Sequence, residues 1–335
     1  MKKLHTPLCE LLSLDIPIFQ APMGGTVTPE FASAVANHGG LGMLPLGNYA
    51  LETCEQMIDD TLGLTGKAIG VNLILEWDQR ERLTLSLNKG IKTIWFFWGD
   101  PSPYIDEIHA HGAKVILTVG SAEEAKRAVD NGVDIIVTQG WEAGGHVWGD
   151  VATLPLVPAV VDAVGNKVPV VAAGGIADGR GMAATLALGA QGVVLGTRLL
   201  TSVEAAVHQQ YKDRIINAKE TDTVYTDLFD KGWPNSHMRV LRNSSYQQWL
   251  DAGKPPSGNR PGEHDVITEF NPDSPVERYS YYLPAPAMKG DLEPLANYMG
   301  QSAGLVKNIQ PVTDIIDEVI DGAIQQINAI NNSIV

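Results

Sequence analysis

Eight short apolar runs in series, a helix-length segment after most of them and glycine at many of those segments' ends predict an α/β protein. The class is a (β/α)8 TIM barrel with a smaller domain inserted between strand 8 and the last helix. The runs are Pro17–Met23, Gly40–Pro45, Ala68–Leu75, Thr93–Gly99, Lys114–Gly120, Asp134–Gly140, Pro169–Gly175 and Gly192–Arg198. Most are nearly continuous rather than alternating, as parallel strands buried on both faces must be.

The segments between them carry helix signals. Thr28-Pro29-Glu30 offers an N-cap with proline at the first helical position, and Ser121-Ala122-Glu123-Glu124 is a capping box. Gly39, Gly90, Gly112 and Gly132 each stand just before a strand, where glycine supplies a left-handed helix end. A doubly wound sheet is the rival, but Gly24-Gly25-Thr26 after the first strand does not fit a dinucleotide fingerprint. Gly179-Arg180-Gly181-Met182-Ala183-Ala184 matches G-x-G-x-x-A, yet it lies after the seventh strand, inside an expected helix.

Beyond Arg198 the texture changes. One helix is expected over about Ser202–Ile216, and residues 218–304 are polar, aromatic and hold nine of the twenty prolines. Pro311–Ile330 then shows a 3.6-residue apolar stripe from Val312 to Ile327, expected to be the eighth barrel helix. The predicted division is a barrel from 1–217 and 305–335, with 218–304 as an inserted domain. That insertion is either a lid over the site or a structural or dimerisation appendage, so a homodimer stays open.

Composition removes other classes. With 335 residues, 44% hydrophobic and 19% charged, the chain is not intrinsically disordered. A formal charge of -15 with no basic cluster argues against nucleic acid or an anionic membrane as partner. No apolar run is long enough to span a bilayer, and Glu10 and Asp15 interrupt what could otherwise pass for a signal peptide. Cys9 and Cys54 alone cannot form a four-thiolate zinc site and fit a reducing compartment, so a cytoplasmic location is expected. No metal is expected: His109 and His111 lie at the wrong end of the barrel, and Glu76, Asp100, Glu142 and His146 have no ligand spacing. Lys67, Lys92, Lys114 and Lys167 all precede strands, which disfavours Schiff-base chemistry.

Barrel chemistry sits at the carboxyl ends of the strands. There the seventh run ends in Gly174-Gly175 and the eighth in Gly196-Thr197, turns whose N–H groups and helix starts can grip a phosphate. Asn72 sits in a mostly apolar strand and is either a network residue or a ligand contact. The densest stretch is Gln139-Gly140-Trp141-Glu142-Ala143-Gly144-Gly145-His146-Val147-Trp148. Its Gly144-Gly145 pair lets backbone come close to a ligand. His146, between two tryptophans on a loop at the functional face, is the candidate catalytic or substrate-contacting residue.

These stretches, with Pro17-Ile18-Phe19-Gln20-Ala21-Pro22-Met23, Gly70-Val71-Asn72 and Tyr298-Met299-Gly300-Gln301-Ser302-Ala303-Gly304-Leu305, resemble the nitronate monooxygenase family, formerly 2-nitropropane dioxygenase. They are shared in part with flavin-dependent enoyl-ACP reductases and NADH:quinone reductases. The resemblance implies non-covalent FMN, with Gly174, Gly175, Gly196 and Thr197 on its phosphate. Pro22, Met23, Asn72 and Gln139 would line the ring or ribityl chain, with Gly144 and Gly145 close by and Gln301 reaching it. His146 matches the family's active-site histidine. The implied reaction oxidises an alkyl nitronate with O2 to a carbonyl compound and nitrite. The alternative is an FMN-dependent NAD(P)H:quinone or enoyl-thioester reductase.

Overall fold

The computed structural model describes residues 4–271 and 274–334. Eight parallel strands follow one another: β1 Ile18–Gln20, β2 Gly42–Pro45, β3 Ile69–Ile74, β4 Thr93–Phe97, β5 Lys114–Val119, β6 Ile135–Gln139, β8 Val170–Ala173 and β9 Gly192–Leu195. A two-residue strand, β7 Gly145–His146, lies outside this sheet. The order β1-β9-β8-β6-β5-β4-β3-β2 runs round a cylinder. A bridge between Phe19 and Leu41 joins its two ends. The Gln20 side chain tightens that seam: its amide donates to Met43 O at 3.1 Å and accepts from Met43 N at 3.2 Å. The (β/α)8 barrel of the sequence reading is therefore present, closed through a side chain where the ladder is thinnest.

Strand residues are buried alternately on two sides, which is why the runs read as continuous. Phe19, Met43, Trp95, Ile116, Ile135, Val137, Val171 and Val194 fill the interior together with Leu8, Cys9 and Leu12 of α1 Pro7–Leu12. Ile18, Leu44, Val71, Ile94, Phe96, Val115, Ile136 and Val193 face the helices. Those helices are α2 Pro29–Asn37, α3 Leu51–Leu64, α4 Arg80–Asn88, α5 Ser102–Ala110, α6 Ala122–Asp130, α7 Thr153–Val164 and α8 Gly179–Ala187. Thr28 Oγ1 and Ser121 Oγ cap α2 and α6 as their sequences require.

After β9 come α9 Thr197–Leu200 and α10 Gln209–Asn217, where one helix over Ser202–Ile216 was expected. The break has a cause. Ser202 Oγ accepts from Ala205 N, Val203 N donates to Gln310 O, and His208 caps α10 anew. Next stand an antiparallel pair, β10 Thr223–Thr226 and β11 Met238–Leu241, and α11 Ser244–Asp251. A second pair follows, β12 Val266–Glu269 and β13 Pro275–Glu277. A 3-10 turn, Gln301–Leu305, leads to α12 Val312–Asn332. α12 packs on α8 and α2, the place of an eighth barrel helix. It crosses α8 at glycine, for a Cβ on Gly179 would overlap the backbone of Gly322 and Ala323. Val312, Ile315, Ile316, Val319, Ile320 and Ala323 are buried, whereas Ile327 at the end of the stripe is 40% exposed.

Candidate active site

β8 and β9 are neighbours, with Ala173 paired to Val194, so the turns that leave them stand side by side. Gly174 and Gly175 have φ of 96° and 74°, a conformation that only glycine adopts without strain. The N–H groups of Gly174, Gly175, Gly196 and Thr197 donate to no acceptor among the described residues. Thr197 Oγ1 accepts from Gly300 N at 2.9 Å, which leaves its own hydrogen to donate. Arg198 does not serve this place, because its guanidinium is bound to Thr201, Asn308 and Glu318. The turns thus offer backbone donors and a hydroxyl to an anion.

The loop after β6 is braced at several points. Gln139 donates to His146 O at 3.1 Å and accepts from Trp148 N at 3.0 Å, so its amide fixes the loop that carries His146. The Glu142 carboxylate accepts from Thr153 N at the start of α7, at 3.0 Å. Glu142 O accepts from Gln301 N at 3.0 Å. A Cβ on Gly144 would overlap the amide of Gly300, so Gly144 serves a crossing of two backbones rather than an open approach. At Gly145, with φ of 78°, an added Cβ meets nothing within 4 Å. Gly145 and His146 do not form a free loop: as β7 they pair with Arg239 and Met238 of β11.

His146 sits among aromatic rings. Trp233 stacks on it at 4.0 Å and 28°, Tyr298 lies at 5.5 Å, and Trp98 meets it edge-on at 6.1 Å. Trp148 packs on Trp98 at 5.0 Å, and Trp77 lies 5.0 Å from Trp233. His146 Nε2 is buried without a partner. Desolvation pushes the imidazole pKa down to about 3, so the ring is neutral at physiological pH. A neutral ring so hard to protonate is better suited to hydrogen bonding than to taking up a proton.

Asn72 points into the top of the barrel and donates to Trp95 O at 2.9 Å, while Trp95 Nε1 donates to Thr118 Oγ1 at 2.8 Å. Pro22 and Met23 form the turn after β1, closed by Met23 N on Ala21 O at 2.9 Å. The structure brings together Gln139, Gly144, Gly145, His146, Thr197 and Gln301 through the bonds above. Pro22, Met23 and Asn72 share the same end of the barrel without direct bonds to them among the described residues. Sequence reasoning missed Trp77, Trp98 and Trp233, and held Tyr298 only as part of a motif. Trp98 had one signal, its place at a strand end beside Gly99; Trp233 had none, being far along the chain. Among the described residues no cluster of His, Cys, Asp or Glu is placed to hold a metal, and no helix is long and apolar enough to cross a membrane.

A family model described as nitronate monooxygenase matches residues 5–82 and 76–322. The probable nitronate monooxygenase of Staphylococcus saprophyticus is 31% identical, across 98% of this chain and 99% of its own. The (3aS,4S,5R,7aS)-5-hydroxy-7a-methyl-1-oxo-octahydro-1H-indene-4-carboxyl-CoA dehydrogenase of Rhodococcus jostii is 32% identical over 98% and 99%. The structure of FabK from Thermotoga maritima superposes with a TM-score of 0.84 at 32% identity, covering 98% of this chain and 99% of that one.

Proposed function

The chain belongs to the nitronate monooxygenase family, and from that premise we propose that it oxidises alkyl nitronates with O2, using FMN, to carbonyl compounds and nitrite. That it is an oxidoreductase of this family follows from the full-length likeness. The observation that carries the finer reading is the pair of adjacent turns after β8 and β9, whose N–H groups have no partner.

The residues present fit a flavin mononucleotide. Gly174, Gly175, Gly196 and Thr197 would hold the phosphate, and space is open at Gly145 and at Gly196, where an added Cβ meets only Ala21 Cβ at 3.5 Å. Pro22, Met23, Asn72, Gln139 and Gln301 would border the rest. Bound there, FMN supplies the one-electron chemistry of the reaction. The protein's part is orientation and exclusion of water. Gln139 holds the His146 loop from below, and the aromatic rings keep solvent from the imidazole. A nitronate is already an anion, so a neutral His146 can donate a hydrogen bond to its oxygen without having to remove a proton first. An imidazole so reluctant to take a proton is a weak base, which makes neutral nitroalkanes, whose proton must first be removed, the poorer substrates.

The reading includes the division into a barrel of 1–217 and 305–335 and a cover of 218–304. It is supported by apolar clusters within 218–304, such as Val276, Met288, Leu292 and Leu295, that stand apart from the barrel core. A cytoplasmic location is part of it, supported by two unpaired buried cysteines. A second reading, an FMN-dependent reductase of quinones or enoyl thioesters with NAD(P)H, is favoured by the likeness to the Rhodococcus protein, whose name is that of a CoA-thioester dehydrogenase. Anaerobic mixing of the yellow protein with ethylnitronate, NADH or NADPH separates the two. Bleaching of the flavin by ethylnitronate alone, with nitrite formed in air, is expected. Bleaching by a nicotinamide alone would transfer the function to the reductase.

A further inference from the structure

Eight buried side-chain polar atoms lack a hydrogen-bond partner among the described residues. Two of them, His146 Nε2 and Trp233 Nε1, belong to rings stacked 4.0 Å apart, and six are not on this ring pair. Buried polar atoms are almost always satisfied, so two unsatisfied ones on touching rings mark a place that something else completes. Trp233 comes from outside the barrel. Trp233 N donates to Asp230 O at 3.0 Å and Ser236 Oγ donates to Trp233 O at 2.7 Å, which sets the turn that carries it. Lys231 N and O pair with Tyr279 O and Tyr281 N at 3.2 and 3.1 Å, clasping that turn to a second segment. Gly232, with φ of 107°, permits the clasp, since a Cβ there would overlap the Tyr281 ring. Trp233 is 3% exposed and touches Trp77 and Trp98 as well as His146.

We propose that Trp233 is a substrate-contacting residue, whose indole N–H donates, together with His146 Nε2–H, to an oxygen of a planar substrate anion. The proposal rests on the reading of the His146 site as the place of reaction. An indole N–H can only donate, so its partner must be an acceptor. The imidazole is neutral, so with its proton on Nε2 it too is a donor. Two donors walled by aromatic rings, with little water to compete, suit a delocalised oxyanion such as a nitronate or a carboxylate of the same shape. Selectivity for that class is then supplied in part by the segment that covers the barrel.

The test uses the flavin-loaded protein and butanoate, a planar carboxylate that the reaction cannot consume. Calorimetric titration of wild type and Trp233→Phe is compared, with flavin content and near-ultraviolet circular dichroism recorded for both. Phe keeps an aromatic face on His146 and deletes the N–H. Butanoate is expected to bind W233F about tenfold more weakly, as loss of one hydrogen bond to a charged group predicts. The KM for ethylnitronate should rise by a similar factor with kcat changed less than about twofold. If W233F loses its flavin or its fold, Trp233→Leu, which also lacks a donor, gives the same comparison. Equal butanoate affinity in wild type and variant overturns the proposal, and so does a wild type that does not bind butanoate. A wild type that binds butanoate, loses it in W233F and makes no nitrite upholds Trp233 and overturns the nitronate reaction.

Discussion

The barrel and residues 218–304 are held together by different physics. Lys114 is the only ionisable side chain in the eight barrel strands, and their packing is mostly aliphatic and aromatic on both faces, with few polar side chains such as Gln20 and Asn72. Residues 218–304 bury Arg239, Asn243, Arg260 and Asn297, which donate to loop carbonyls or carboxylates, and Glu263, which accepts from the Arg260 guanidinium and from backbone N–H groups. Arg260 alone reaches Leu228 O, Asp230 and Glu263. A strand sheet satisfies its own backbone, so its side chains are free to be apolar. A segment built mostly of loops leaves carbonyls unpaired, and polar side chains must bond them. The first kind of region leaves a pattern in the sequence; the second leaves almost none.

The largest expected effect concerns the barrel. Gly175→Val places a β-branched residue at φ 74° and sets its Cβ 3.1 Å from Glu142 Cγ. It should yield protein without flavin, read from visible absorbance after purification; full flavin content would remove the phosphate assignment. Next comes the other region. Arg260→Ala leaves Glu263 and Asp230 without their partner, a loss of about 3–5 kcal/mol for a broken buried pair. Limited proteolysis should then cut within 255–265 while the barrel melts as before. A matching fall of the whole melting curve would mean that the two regions unfold as one, and the contrast between them would fail.

The smallest effect separates the regions by pH. The His146 imidazole titrates near 6.5 when unfolded and about 3 when folded. As pH falls below 6.5 the unfolded chain gains a proton that the folded one refuses, so stability is full above 6.5 and declines toward 3. The loss is at most about 2 kcal/mol at pH 5. Burial pushes the Glu263 carboxyl up, but hydrogen bonds from Arg260 and from the Gly258 and Arg260 amides outweigh this and hold it at about 2. Its contribution is present above 4.5 and is lost as pH falls toward 2. In urea titrations, His146→Phe should flatten the profile between pH 7 and 5 and leave the decline below 4.5 in place. An unchanged slope between pH 7 and 5 would mean that His146 is hydrated.

The same contrast governs how much could be read from the sequence. All eight barrel strands were visible, because burial on two faces makes runs such as Val170–Ala173 apolar throughout. The stripe of α12 was visible because one face meets α8 and α2. The break between α9 and α10 was not, since it depends on Gln310 arriving from more than a hundred residues away. In the site, glycine turns and a histidine were legible as residue types at strand ends. The ring stacked on that histidine was not, because nothing local to Trp233 records its partner. Gly144 was legible as a place of close approach, but that the Gly300 backbone crosses it was not.

One consequence of the short strand β7 concerns motion. His146 belongs to the barrel by covalent connection, yet its backbone is an edge of the sheet formed by β10 and β11, and Val147 N bonds His237 O at 3.0 Å. The Gly144–Gly300 crossing ties the same loop to the returning chain, with no side chain between to give way. A displacement of β10 and β11 therefore drags the imidazole with it or shears the Met238–His146 pairing. On the proposed reading of 218–304 as a cover and of His146 as the place of reaction, opening the one and dismantling the other are the same mechanical event, and an assembled site beneath an open door is ruled out.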